Sequence, residues 1–213
     1  MAAPFDNSTA KNSATLSPHT AEGVVIDIGT GDGRFVSRQA RENPNKFYIG
    51  IDANAKPLEK ISMKATRKPS KGGLPNVLFV QAAVENLPEE LNETADEIHI
   101  HFPWGSLLRA VLTGDESALQ NLRRICAPGC LVEIVTGIDE ERDQSEIERL
   151  ELPTLSTDYL ENVLILKYQA AGFEILEKGV LSAADWSKLE TSWARKLRGS
   201  ENRRVTYLIL RAT

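Results

Sequence analysis

The chain has 213 residues, 41% hydrophobic and 26% charged, which suits one compact domain with a sizeable core. No apolar run reaches the length of a membrane span, and the opening MAAPFDNSTAKNSATLSPHT has neither a charged n-region nor an apolar h-region, so neither a signal peptide nor an anchor is expected. A net charge of -5 argues against a purely electrostatic nucleic-acid binder, although the charge is unevenly spread.

The Ser/Thr/Asn/Ala-rich residues 1–22 lack periodicity and read as a disordered tail, leaving 23–213 as a single domain. VVIDIG (24–29) is a continuous apolar strand ending in glycines, RFVSRQAREN is helical, and KFYIGID (46–52) is a second strand. A basic helix over about 55–67 precedes NVLFVQA (76–82), a turn at LPEEL, and the strand EIHIHF (97–102). Two helical stretches lead to LVEIVTG (131–137), and the acidic IDEERDQSEIERLE (138–151) reads as a solvated helix or loop inserted there. Residues 157–171 are helical, FEILEKG (173–179) is a strand, 183–197 a helix and RVTYLIL (204–210) the last strand. Repeated strand–helix units with buried strands predict an α/β fold, a doubly wound, mostly parallel seven-stranded sheet.

DIGTGDG (27–33) joins the first strand to the first helix. Gly29, Gly31 and Gly33 allow a sharp turn and close approach to a ligand, but position 34 is arginine, so the G-x-G-x-x-G of dinucleotide sites is absent. Asp27 can accept a hydrogen bond from a cationic amine, which S-adenosylmethionine (SAM) carries and a pyrophosphate does not. Asp52 lies about 20 residues after the glycines, where a carboxylate receives ribose hydroxyls. The sheet is therefore expected to be of the class I SAM-dependent methyltransferase, Rossmann-like type. Glu85 is the candidate for the adenine end, and Val84 and His101 are counted with it as cofactor contacts. A glycine turn with no ligand, and Glu85 as an ordinary surface residue, are the plain alternatives.

FPWG (102–105) falls at the carboxyl end of the fourth strand, where ligands of such sheets bind. Trp104 there and Trp193 in LETSWARKL could clamp a base, each ring contributing about 1–3 kcal/mol of stacking against a flipping cost of a few kcal/mol. Core packing is the alternative for each ring, and Trp186 is assigned to packing. Residues 56–71 carry Lys56, Lys60, Lys64, Arg67, Lys68 and Lys71 against Glu59, a net of +5. Residues 195–204 carry Arg195, Lys196, Arg198, Arg203 and Arg204 against Glu201, a net of +4, leaving -14 elsewhere. Two basic islands on an acidic body predict contacts to phosphates of a structured RNA by Lys60, Lys64, Arg67, Lys68, Lys71, Arg195, Lys196, Arg203 and Arg204. Cys126 and Cys130 with His99 and His101 formally make a zinc set, but without paired knuckles these residues read as core, no metal is expected, and the cytoplasm is the expected compartment.

The stretches DIGTGDGR, YIGID, KISMKATRKPSKGGLPN, FPWGSLLRAVL and ETSWARKL resemble the 16S rRNA (adenine(1408)-N(1))-methyltransferases of the kanamycin–apramycin resistance family, over about residues 24–198. The resemblance implies SAM-dependent methylation of N1 of a decoding-site adenine in the 30S subunit, by a monomer, with no membrane. It places Asp27, Gly29, Asp52, Glu85, Ser106 and Thr191 around SAM, Trp104 and Trp193 on the flipped adenine, and Lys64, Arg67 and Lys68 on rRNA. The chain departs from the family pattern in its neutral N-terminal tail, in Leu150 where a relative has arginine, and in Glu201 and Asn202 within the second basic island. A tRNA guanine-N7 methyltransferase is the nearest rival, but its F-P-D-P-W loop has an aspartate that FPWG lacks. A small-molecule SAM methyltransferase and a non-catalytic RNA-binding domain on the same fold are the others.

Overall fold

The computed structural model describes residues 17–182 and 203–213. Seven strands form one sheet: β1 (Val24–Ile28), β2 (Phe47–Asp52), β3 (Val77–Gln81), β4 (Ala95–His101), β5 (Cys126–Thr136), β6 (Phe173–Leu181) and β7 (Val205–Ala212). Their order is β3-β2-β1-β4-β5-β7-β6, with β7 antiparallel to both of its neighbours and the other pairings parallel. The chain runs outward from β1 to β3, then returns to place β4 on the other side of β1. That reversal opens a crevice at the carboxyl ends of β1 and β4, which is where such sheets hold ligands.

The strands β1 and β2 are buried on both faces because helices cover the sheet on both sides. All five residues of β1 are buried, and Ile26, Ile49, Ile51, Ile98 and Ile100 are almost wholly removed from water. The helices α1 (Arg34–Glu42), α2 (Ala55–Ala65), α3 (Gly105–Thr113), α4 (Glu116–Ile125) and α5 (Gln144–Arg149) follow in order, and a further helix spans 157–170. Asn54 caps α2 by accepting from the Lys56 amide, and Asp115 caps α4 by accepting from the Ala118 amide. The 157–170 helix is π-helical over Leu160–Leu164.

The acidic stretch after β5 carries α5 and no buried residue within that helix, but Leu150 immediately after it is buried in the core. Strand ends differ from the sequence reading by one or two residues, and at β5 by more: the strand begins at Cys126 rather than Leu131 and so takes in CAPGC, with a shift of register against β4 between Ala95 and Glu97. Pro128 and Gly129 disguise the strand, and Gly129 at φ 80 marks the irregularity. The tail expected over 1–22 reaches the described residues at 17–20, which form a turn closed by the Thr20 amide on the Ser17 carbonyl.

Candidate functional site

The turn after β1 is shaped by its glycines. Gly29, Gly31 and Gly33 have φ of 80, 57 and 66, a region that L side chains rarely adopt. A Cβ on Gly29 would lie 2.7 Å from a Leu107 methyl, so only glycine lets Leu107 close over the turn where it lines the cleft. Asp52 holds the turn: its Oδ2 accepts from the Gly31 amide at 2.8 Å, and its Oδ1 accepts from the Asn54 amide at 2.8 Å. Each oxygen keeps a second lone pair for a ligand hydroxyl.

A cleft of about 360 Å³ lies over this turn at the crevice of the sheet. Asp27, Gly29, Gly31, Asp52, Val84, Glu85, His101, Trp104 and Ser106 all line it, as do Thr30 and Leu107, which the sequence reading does not single out. Gly33 does not; it closes the turn against Phe79. Thr191 and Trp193 lie outside the described residues, as do Arg195 and Lys196. Asp27 is 4% exposed, and burial raises its pKa above the ordinary carboxylate value despite the opposing pull of His101. A buried carboxylate in that state gains from an incoming cation. Together with the glycine cradle, it suits a ligand with an ammonium group near a ribose.

Trp104 owes its position to the backbone on either side. Phe102 sits at φ 49, a strained conformation for a non-glycine residue, with its ring buried beside Val135 and Val205 and its amide bonded to the Val135 carbonyl at 2.7 Å. Gly105 follows at φ 61 with open space around it. Between these two left-handed residues the chain reverses and starts α3, leaving Trp104 at 39% exposure. Its ring borders both the glycine cleft and a shallower depression lined by Pro103, Gly137, Ile138 and Arg203.

Below the cleft floor lies a polar network that composition could not reveal. His99 and His101 share one face of β4, and Glu133 on β5 is in register with His99. His99 Nδ1–H donates to Glu133 Oε2 at 3.0 Å and His101 Nε2–H donates to the same oxygen at 2.9 Å. Phe35 of α1 meets both imidazoles edge-on, with ring centroids 5.2 and 5.0 Å away. The outer His99 nitrogen faces Glu97 at 3.7 Å, and Glu97 pairs with Lys46 at 2.6 Å. Burial opposes a charge on His99, but the hydrogen bond to Glu133 and the nearby Glu97 carboxylate outweigh it and push its pKa up to about 9. Hydrogen bonds from His101 and His99 hold Glu133 well below the usual carboxylate range. The neighbouring His99 imidazole and the hydrogen bond from Lys46 lower Glu97 to about 2. The expectation that the histidines pack as plain core is corrected here: they form this ladder, and only a cross-strand neighbour shows which carboxylate faces them. Their donor atoms and that of Glu133 lie within 4.8 Å of one another, but an ion there would have to displace both ring protons. Cys126 and Cys130 are free, buried and outside this group.

Of the basic residues, Lys60, Lys64, Arg67, Lys68, Lys71 and Arg204 are exposed. Arg203 is a correction. Its guanidinium forks onto Asp143, with Nη2 donating to Oδ1 at 3.1 Å, and also bonds the Gly137 carbonyl. Both side chains are about nine-tenths buried, so Arg203 ties the loop after β5 to β7 rather than offering a charge to solvent. Charge counting along the chain cannot see a partner 60 residues away.

Residues 6–213 match a family model described as NpmA: 16S rRNA (adenine(1408)-N(1))-methyltransferase. A curated relative, the 16S rRNA (adenine(1408)-N(1))-methyltransferase of Streptoalloteichus tenebrarius, is 38% identical over 180 residues, 84% of this chain and 82% of that protein. Among solved structures, the aminoglycoside resistance methyltransferase NpmB1 superposes with a TM-score of 0.82 at 49% identity, covering 92% of this chain and 90% of that one. A tryptophan-to-alanine mutant of the 16S rRNA (adenine(1408)-N(1))-methyltransferase from Catenulisporales acidiphilia, solved with cosubstrate SAM, has a TM-score of 0.82 at 32% identity, covering 93% of this chain and 92% of that one.

Proposed function

This chain belongs to the 16S rRNA (adenine(1408)-N(1))-methyltransferase family, and we infer from that membership that it is a SAM-dependent enzyme methylating N1 of that adenine, with aminoglycoside resistance as the consequence. Bound SAM supplies the methyl group as an electrophile on sulfur. The chain's own residues bind and orient.

Asp27 is the acceptor for the amino-acid ammonium of SAM, its buried carboxylate regaining in the ion pair what it loses to desolvation. Asp52, already fixed by two backbone amides, accepts from the ribose, and Glu85 with Val84 borders the adenine end. His101 donates from Nε2 to Glu133 and lines the cleft beside Asp27, so the ladder holds its ring against the cofactor's polar end.

The single observation that carries the reading is Trp104, an exposed indole held at the cleft mouth between two left-handed residues. A ring in that place stacks on a base brought out of its helix. N1 of adenine has its own lone pair, so no general base is required, and the protein's contribution is alignment. Trp193, beyond the described residues, is proposed as the opposing ring. The substrate is proposed to be the assembled 30S subunit, met by a monomer in the cytoplasm. Among the described residues no helix is long and apolar enough to cross a membrane.

Two measurements test this reading. Titration calorimetry with SAM should give heat; its absence would favour a non-catalytic RNA-binding domain. Expression in a susceptible bacterium should raise tolerance of kanamycin and apramycin together, and unchanged tolerance of both would count against the proposed target.

A further inference from the structure

Helix α1 carries Arg34, Arg38 and Arg41 at i, i+4 and i+7, one stripe of a helix whose opposite face is buried through Phe35 and Val36. That stripe faces the end of α2 and the loop after it. Between them lies a cleft of about 490 Å³ whose walls bring together Arg34, Arg38, Arg41, Lys64, Arg67 and Lys71, and among the described residues no carboxylate lines it. Six like charges around one concavity repel each other, and a fold tolerates that where an anion enters.

Arg41 Nη1 donates to the Ser37 carbonyl at 3.0 Å within α1, and the contacts that join the two walls use none of the charges. Gly73 packs so closely that a Cβ there would lie 1.6 Å from the Arg67 carbonyl, and the Leu74 amide bonds the Ala65 carbonyl at 2.9 Å. Buried Asn76 donates from Nδ2 to the carbonyls of Ala40 and Lys46 at 3.0 Å each, tying the end of α1 to the start of β3. The cleft is therefore built, with its cations outermost. Asp32 neutralises part of Arg34 at 2.8 Å and Glu42 approaches Arg38 at 3.8 Å, while Lys64, Arg67 and Lys71 are exposed on the facing wall. Ser37, 4% exposed, also lines the cleft, and its hydroxyl finds no hydrogen-bond partner in the structure. A buried hydroxyl without a partner costs stability unless a ligand completes it.

We propose that this cleft between α1 and the α2 loop seats backbone phosphates of the substrate RNA, with Arg38, Arg41 and the Ser37 hydroxyl supplying a wall opposite Lys64, Arg67 and Lys71. The proposal rests on the function given above and extends its RNA footprint onto α1. Guanidinium groups suit the task because they grip phosphate oxygens with two parallel donors.

The test is equilibrium binding of the full-length protein to purified 30S subunits over a salt series, with SAM affinity and melting temperature measured alongside. The double variant Arg38→Gln/Arg41→Gln should bind SAM and melt like wild type. Its 30S affinity should fall about tenfold or more, and the slope of log affinity against log salt should shrink by about 0.7–0.9 for each phosphate contact removed. Arg211→Gln is the control, because Arg211 pairs with Glu174 between β7 and β6 and lies away from the cleft. Wild-type affinity and slope in the double variant would overturn the proposal, as would an equal loss in the Arg211→Gln control. If the double variant melts early, Arg41→Gln/Lys71→Gln, one residue from each wall, carries the same expectation. Failure of wild-type protein to bind 30S would instead sink the functional reading itself.

Discussion

A carboxylate buried at the end of a central strand is costly, and Asp27 bears that cost for its ligand. Its raised pKa means that part of the population is protonated as pH falls, and a protonated acid cannot pair with an ammonium. SAM affinity should therefore weaken on acidification and strengthen as pH rises through the Asp27 pKa. Asp27→Asn should lose about 10–100-fold in affinity, the worth of one charge-assisted hydrogen bond, and its calorimetric pH profile should be flat. A profile unchanged by the substitution would remove Asp27 from the cofactor site. Trp104→Ala should slow methylation of 30S by about 5–150-fold, matching the loss of one stacked base, with SAM affinity within about twofold. Normal methylation by that variant would show the indole is only packing. Asp27, Asp52 and Trp104 are legible in the sequence because glycine spacing and strand ends are local signals. Glu133 is not, since its importance lies in a cross-strand register, and Arg203 misleads because its partner Asp143 is remote in sequence.

At the scale of elements, β4 and β5 place one ionic ladder, from Lys46 through Glu97 and His99 to Glu133 and His101, under the cofactor cleft. The folded pKa of His99, about 9, is above its unfolded value near 6.5, so its stabilising contribution is complete below about pH 6.5 and is lost as pH rises through 9. Glu97, lowered to about 2, acts at the other end: its contribution is present above about pH 4.5 and lost as pH falls through 2. Between about pH 6.5 and 9 the histidine alone of these two governs. A retained linkage of about 1–2 kcal/mol corresponds to a melting temperature lower by about 2–8 °C across that range, and His99→Gln should flatten the curve. Equal slopes for both proteins would mean the histidine is uncharged. Strand and helix order are readable from periodicity, but periodicity identifies α1 only as a helix, although Arg34, Arg38 and Arg41 already stand at helical spacing. The start of β5 escapes for the opposite reason: CAPGC has the composition of a turn and the hydrogen bonding of a strand.

For the whole molecule, the separation of charge is the organising fact. The body is acidic, while the exposed end of α2, its loop and the outer stripe of α1 form a cationic surface near the cofactor cleft. Such a molecule turns its basic face to a large polyanion and its acidic remainder away. Many weak phosphate contacts then make binding steeply dependent on salt and favour a folded particle over a short oligonucleotide. Fold class and cofactor type can be read from the sequence because they follow from repeated local patterns; the shape of the RNA-facing surface cannot, because it needs two helices brought side by side. The central claim is the target. Purified protein with tritiated SAM should label 30S subunits and leave 50S subunits and bulk tRNA unlabelled, and primer extension on the labelled RNA should stop at adenine 1408. Label confined to tRNA, or a 30S product without that stop, would contradict the account.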